Sequence, residues 1–370
     1  MQPLNISIIG TRGIPNHYGG FEQVAQYLAV GLLSKGHQVT VYNSHNHPYK
    51  KNEFEGVQII NCFDAEKFIG TAGQFVYDFN CIRNARRQNF DVILFLGYTS
   101  SSVWGKLFPK KAIIISNMDG MEWKRTKYLK PVRFFLKYAE SLAVKYSHYL
   151  IADSTVMQTY LKQKYHVESK YIAYGAETAG TINETVLKDF GLSKSGYFML
   201  MARMEPENNI EVILNGFCNS NSTNKFLVIG NYENSFGRMV YKKYGADTRV
   251  HFAGAIFDEV KTTTLRVFCK LYFHGHSVGG TNPSLLQAMA NGAVIAAHGN
   301  PFNKAVLQND ALYFNTPADV LHIINTHVAS DDITEMTKNN IKKIEEEFNW
   351  PGIIRSYEEF IADCCKKEDK

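Results

Sequence analysis

From position 274 to 292 the chain reads His-Gly-His-Ser-Val-Gly-Gly-Thr-Asn-Pro-Ser-Leu-Leu-Gln-Ala-Met-Ala-Asn-Gly. An apolar strand over 271–273 runs into a turn containing Gly279 and Gly280, after which Asn282 and Pro283 suit the cap and first position of a helix. Free backbone N–H groups and the positive end of the helix dipole face such a turn, and glycine lets a ligand approach the backbone closely. The chemistry on offer is anion binding, with a nucleoside diphosphate as the expected ligand. The plainer alternative is that the glycines only shape a strand-to-helix turn. His274 and His276, and separately His45 and His47, invite a zinc reading, but no further ligands follow at the spacing zinc uses. One of His274 and His276 is expected instead to donate to the ligand or to pack at the strand end.

A second glycine-rich turn, Gly10 to Gly20, follows an apolar strand over 6–9. Phe21, Val24, Ala25, Leu28, Ala29 and Leu32 then recur at helical spacing, Gly36 closes the helix, and 38–42 is the next strand. This is a βαβ unit opening a doubly wound sheet. The turn lacks G-x-G-x-x-G spacing, no acid follows the second strand, and no G-x-x-x-x-G-K-[ST] loop exists, so a dinucleotide cofactor is not expected. Its glycines, Gly19 and Gly20 among them, are expected to form the floor of a binding cleft.

The elements that must position these turns follow in alternation. Strands are expected over 57–61, 92–96, 112–116 and 149–152, with helical stretches near 73–87 and 129–146. Site residues collect at strand ends in such sheets, which marks Gly97-Tyr98-Thr99 and Asn117-Met118-Asp119-Gly120. Asp119 is either a site residue or a turn cap. A second series opens with a strand at 197–202, continues through Arg203-Met204-Glu205-Pro206-Glu207-Asn208-Asn209-Ile210 into a helix, and has strands at 226–229, 250–252, 271–273, 294–296 and 312–313. The polar stretch after Glu177 breaks the pattern. The expected organisation is therefore residues 1–177, residues 178–348, and a helical segment 349–370 that either crosses back to the first domain or caps the second sheet.

The chain has 370 residues, more than one ordinary core holds, and 45% hydrophobic with 20% charged residues is ordinary for a globular protein. Six cysteines without metal spacing, and no signal peptide, read as a reduced cytoplasmic protein. No apolar run is long enough to span a bilayer. The net charge of +5 is local: seven cations stand against two acids between Glu122 and Tyr149, which equals the whole-chain excess. That stretch also carries Trp123, Tyr128, Phe134, Phe135 and Tyr138, and is read either as a peripheral contact with an anionic membrane or as a solvated helix with a core face. No recognised reading motif accompanies the charge, so nucleic acid is not expected.

Four stretches in order, Gly10 to Glu22, Asp119 to Arg125, Ala202 to Ile210 and His274 to Ala290, resemble the bacterial rhamnosyltransferase group of the retaining glycosyltransferase family 4. The resemblance covers nearly the whole chain. It implies an α/β GT-B fold, two Rossmann-like doubly wound parallel-sheet domains facing a cleft, with the nucleotide-sugar donor held mostly by the second domain and the acceptor entering through the first. It assigns Arg203 to the donor diphosphate, which suits a guanidinium fork; a surface ion pair with Glu205 or Glu207 is the alternative. Donor contacts are expected from Gly19, Gly20, Arg203, Asn208, Gly279, Gly280, Thr281, Asn282 and Gln287, and catalytic or positioning roles from Asp119, Arg203 and His276. Glu122 is a second candidate for orienting the acceptor.

The sequence departs from the broad family pattern, a glutamate, seven residues, then a second glutamate, whose places fall at Gly279 and Gln287; the phosphate lysine falls at Asn208. A glutamine has one acceptor oxygen where a carboxylate has two, and a deoxyribose needs less of that grip. The expected donor is dTDP-L-rhamnose, with no metal and no other cofactor, since no D-x-D pair is present. The expected acceptor is a polyprenyl-diphosphate-linked saccharide at the inner face of the cell membrane. A UDP-hexose enzyme of the same fold, and a non-catalytic nucleotide-sugar binding homologue, remain as alternatives.

Overall fold

The computed structural model describes residues 2–17, 19–178, 180–326 and 330–368; Tyr18 of the first glycine-rich turn and positions 369–370 of the tail lie outside the described residues. The chain divides into two compact units. One comprises Met1–Trp123, Lys130–Tyr174 and Trp350–Lys370, the other Lys124–Leu129 and Gly175–Asn349.

The first unit holds β1 (Asn5–Ile9), β2 (Gln38–Ser44), β3 (Glu53–Phe54), β4 (Val57–Cys62), β5 (Val92–Leu96), β6 (Ile113–Met118), β7 (Tyr149–Ala152) and β8 (Lys170–Tyr171). Their order is β3-β4-β2-β1-β5-β6-β7-β8, parallel except for the β3–β4 pair. All five residues of β5 are buried, as expected of a central parallel strand covered on both faces. The order reverses between β1 and β5, so the loops after these two strands part at that point and leave a crevice. The terminal helix Trp350–Glu368 packs in this unit beside the helix Gly20–Ser34: Trp350 stacks on Tyr27 at 4.4 Å, and Asn117 at the end of β6 donates to the Tyr357 hydroxyl at 3.0 Å.

The second unit holds β9 (Tyr197–Met201), β10 (Lys225–Ile229), β11 (Val250–Gly254), β12 (Leu271–His274), β13 (Ile295–His298) and β14 (Leu312–Phe314). Their order is β11-β10-β9-β12-β13-β14, wholly parallel, so the first strand of the series lies beside the fourth. Alternation along β9 sends Phe198 and Leu200 into a core with Phe217, Phe226, Phe273 and Phe314. Each of these rings contributes about 1.5–3 kcal/mol by leaving water.

The basic stretch 122–149 is not one element. Glu122–Lys124 is a short turn of 3-10 helix, 124–129 packs with the second unit, and the helix Lys130–Tyr146 starts just before Pro131, which is tolerated only in a first turn. No helix among the described residues is long and apolar enough to cross a membrane.

Candidate functional site

In the second unit the order reversal lies between β9 and β12, and the loops after these strands carry the residues singled out in the sequence. His274 is the last residue of β12, one position beyond the expected strand end. Gly275 follows, and a Cβ there would lie 2.0 Å from the Asn208 carbonyl oxygen, so only glycine lets the two loops approach. The Ser277 N–H and hydroxyl both donate to the Glu207 carbonyl (3.0 and 2.8 Å), and Asn209 donates to the Gly275 carbonyl at 2.7 Å. From the β13 side, Asn300 and Asn303 both donate to the His276 carbonyl (2.8 and 3.0 Å), and Asn303 also to the His298 carbonyl at 2.9 Å. The loop after β12 is thus held from both neighbours.

The eight-residue helix Pro283–Ala290 begins as expected, with Asn282 as cap and Pro283 first. Its own first N–H groups, however, are not free donors. The Asn282 side chain accepts from the Ser284 N–H, and its carbonyl accepts from Leu285 and Leu286. The donors open to an anion lie one step earlier: the N–H groups of Val278, Gly279, Gly280 and Asn282 bond to no described residue. Gly279 has φ +135°, a conformation that favours glycine, with open space where a Cβ would stand. Thr281 is buried and Gln287 half-buried on the helix.

Arg203 follows β9, is exposed, and makes no ion pair with any described residue. The surface-pair alternative fails because its partners are taken: Glu207 faces Arg125 at 3.4 Å and Glu205 faces Lys127 at 3.3 Å. Asn208, expected to contact the donor, is buried and donates to the Arg203 carbonyl at 2.7 Å, so its amide shapes the loop that bears the arginine. Arg203 and Arg125 lie close enough to bear on His276. Burial first, then His274, Arg203 and Arg125 hold its pKa well below the ordinary histidine value, so this ring is neutral near pH 7. The His276 Nδ1 is buried without a partner, and the ring stacks on His274 at 4.5 Å. His274 is fully buried with neither ring nitrogen bonded; burial, then His298, pushes it down to about 3.

Sequence reasoning missed two features here. Asn300 and Asn303 carry no motif signal beyond an Asn-Pro helix start. Arg266 is almost wholly buried, its Nε has no partner, its Nη2 meets the Met201 sulfur at 2.9 Å, and its guanidinium also bears on the Tyr272 hydroxyl. A buried cation without a carboxylate is unusual, and only folding reveals it.

In the first unit, the loop after β1 is built on Arg12, whose N–H donates to buried Glu22 at 2.9 Å and whose guanidinium grips Glu66 at 2.6 and 3.0 Å. Gly19 caps the helix Gly20–Ser34 in an extended conformation, so neither it nor Gly20 provides the left-handed turn; Gly10 and Gly13 do. Asp119 is half-buried directly after β6, and its charge is felt at buried Tyr98 and Tyr174. Trp123 of the same loop donates to Glu140 at 3.1 Å, and this wholly buried carboxylate also accepts from Tyr160, Lys164 and Tyr165. Gly19, Gly20, Asp119 and Glu122 belong to the first unit, and Arg203, Asn208, His276, Gly279, Gly280, Thr281, Asn282 and Gln287 to the second.

The topology, two α/β units built on parallel sheets whose strand order reverses at a loop crevice, is that of the GT-B glycosyltransferases. A sucrose-phosphate synthase from Thermosynechococcus elongatus superposes with a TM-score of 0.80 at 13% identity, covering 97% of this chain and 98% of its own. HepE from Anabaena, solved in complex with UDP and glucose, gives 0.76 at 14% identity over 97% and 100%. A glycosyltransferase from Rickettsia africae gives 0.74 at 13% over 99% and 100%. Residues 4–177 match the family model described as a domain of unknown function, DUF1972. A curated relative, an uncharacterized 42.6 kDa protein in the cps region of Klebsiella pneumoniae, is 43% identical over 58 residues, 15% of this chain and 16% of that protein.

Proposed function

We propose that the protein is a retaining, metal-independent glycosyltransferase of the rhamnosyltransferase group. It moves L-rhamnose from dTDP-L-rhamnose to a polyprenyl-diphosphate-linked saccharide at the inner face of the cell membrane, in cell-surface polysaccharide synthesis. The observation that carries this reading is the unneutralised Arg203, close enough to act on His276, whose loop leaves the N–H groups of Val278, Gly279, Gly280 and Asn282 open, while Glu205 and Glu207 are occupied by other cations.

In this reading the C1–O bond to the donor's diphosphate breaks as the acceptor oxygen bonds C1 on the same face, and the acceptor proton passes to the departing phosphate. Arg203 and the loop amides stabilise the charge that develops on the diphosphate. Neutral His276 offers a ring nitrogen to the phosphate or sugar, and Gly279, Gly280 and Thr281 line the sugar. Gln287 holds one ribose hydroxyl, and Asp119 orients the acceptor hydroxyl. The likeness to HepE, solved with UDP and glucose, favours a second reading, a UDP-hexose donor.

Thermal-shift titration with dTDP, UDP, GDP and ADP separates the readings, since a ligand that binds only the folded state raises stability by RT ln(1 + [L]/Kd). Selective stabilisation by dTDP, lost in Arg203→Ala, is the expected result. Selective stabilisation by UDP establishes the second reading. No shift with any nucleotide refutes the donor site, and nucleotide binding without turnover of any donor and acceptor identifies a non-catalytic homologue.

A further inference from the structure

The helix Lys130–Tyr146 turns Leu136, Ala139, Glu140 and Ala143 inward, so the opposite side should be polar. It is not. Phe134 and Tyr138, one turn apart on that outer side, are 77% and 54% exposed, and Val132 is also exposed. A neighbouring segment does the same: Phe63, Phe68 and Ile69 are all at least half exposed, with the two phenylalanine rings stacked on each other at 6.5 Å. The two surfaces adjoin through the helix Gly73–Ala85, which follows the second segment directly and whose Phe75 meets Phe135 at 5.7 Å. Contiguous exposed apolar side chains gain nothing for folding and mark an interaction surface.

The charges identify what covers it. Lys67, Lys130, Arg133, Lys137 and Lys145 lie in these two segments. Their acids are all engaged: Glu140 is buried among four donors, Glu66 grips Arg12, and Asp64 accepts from Ser44. A second copy docking the same patch against itself would set cation against cation. Aliphatic Ile69, next to Phe68 in the chain, suits hydrocarbon rather than base stacking.

We propose that this surface, Phe63–Ile69 together with the outer face of Lys130–Tyr146, seats the first unit on an anionic lipid bilayer, with Phe68 and Phe134 entering the interface and the lysines on the headgroups. It rests on the reading of a lipid-linked acceptor and narrows the contact expected from the basic stretch 122–149 to its helical part, adding Phe63–Ile69, since Arg125 and Lys127 are already paired with Glu207 and Glu205.

The test is co-sedimentation of the full chain with phosphatidylcholine vesicles with and without phosphatidylglycerol, at low and high salt. Expected is binding to the anionic vesicles only, weakened by salt, and reduced about tenfold or more by Phe68→Ser with Phe134→Ser and by Lys130→Glu with Lys137→Glu. Circular dichroism and the nucleotide thermal shift, both independent of lipid, verify that the variants are folded. Absence of vesicle binding, or binding that both double variants retain, overturns the proposal. Concentration-dependent dimerisation lost in the phenylalanine variant would assign the patch to a second copy, and RNA binding lost in the lysine variant would assign it to nucleic acid. A nucleotide shift without vesicle binding would leave the glycosyltransferase reading intact while refuting the bilayer contact.

Discussion

His274 makes the second unit sensitive to acid in a way that can be calculated. Its ring is fully buried with both nitrogens unbonded, and burial pushes it down to about 3 from 6.5. A group depressed in the folded state takes its proton only on unfolding, so the stability it contributes is whole above 6.5 and is lost as pH falls towards 3. Between about pH 7 and about pH 5 that loss is about 2 kcal/mol. For a unit of this size it corresponds to a fall in Tm of roughly 4–8 °C. Depressed His276 and His298 add to the wild-type slope, so the informative comparison is with His274→Phe, which keeps a ring against His276 and removes the titration. Calorimetric melts at several pH values should show a shallower dependence for the variant by about that amount. Parallel profiles for the two proteins would refute a buried, neutral His274.

Asp78 has the opposite sign. Burial raises it to about 7 against the hydrogen bond from Ser100, so stability falls as pH rises from 3.8 to about 7. Asp78→Asn should therefore exceed the wild type in stability at pH 8 by up to about 4 kcal/mol, with the gain gone near pH 4, as read by urea denaturation. Asn303→Ala removes one of the two side-chain amides that tie the His276 and His298 carbonyls, leaving Asn300; a stability loss of about 1–3 kcal/mol and a weaker nucleotide thermal shift are expected, and an unchanged shift would show that the Asn303 clamp does not position the loop. Gly275→Ala drives a Cβ into the Asn208 carbonyl and should abolish nucleotide stabilisation, whereas Gly279→Ala meets open space and should cost only about 1–3 kcal/mol of backbone strain; equal losses in melts of the two variants would contradict this geometry.

Much of the chain declares itself locally. The apolar runs that became β5, β7 and β9 lie within one residue of the observed bounds, because a strand buried on both faces needs an unbroken apolar segment and a helix after it needs its own period. The cap of the helix Pro283–Ala290 was equally legible, since Asn-Pro chemistry acts within two residues. The two-residue β3 was not, for lack of length. Of the donors expected around the anion loop, only the N–H groups of the helix start differ: those of Ser284, Leu285 and Leu286 are taken by the Asn282 side chain and carbonyl, while Gly279 and Gly280 remain open.

The sequence alone therefore determined the two α/β series, the glycine turns at strand ends and the cationic surplus before Tyr149, all of which are properties of neighbouring residues. Tertiary structure decided what each charge does. Glu205 and Glu207 find Lys127 and Arg125 some 80 positions away and so leave Arg203 without an ion pair among the described residues, Glu140 collects donors from another helix, Arg266 is buried with no carboxylate and an unbonded Nε, and His274 is sealed with neither ring nitrogen bonded. Such pairings depend on which strands lie side by side. Hydrophobic periodicity sets the elements but carries no information about that order, and the free cation at a candidate anion site exists only once the order is set.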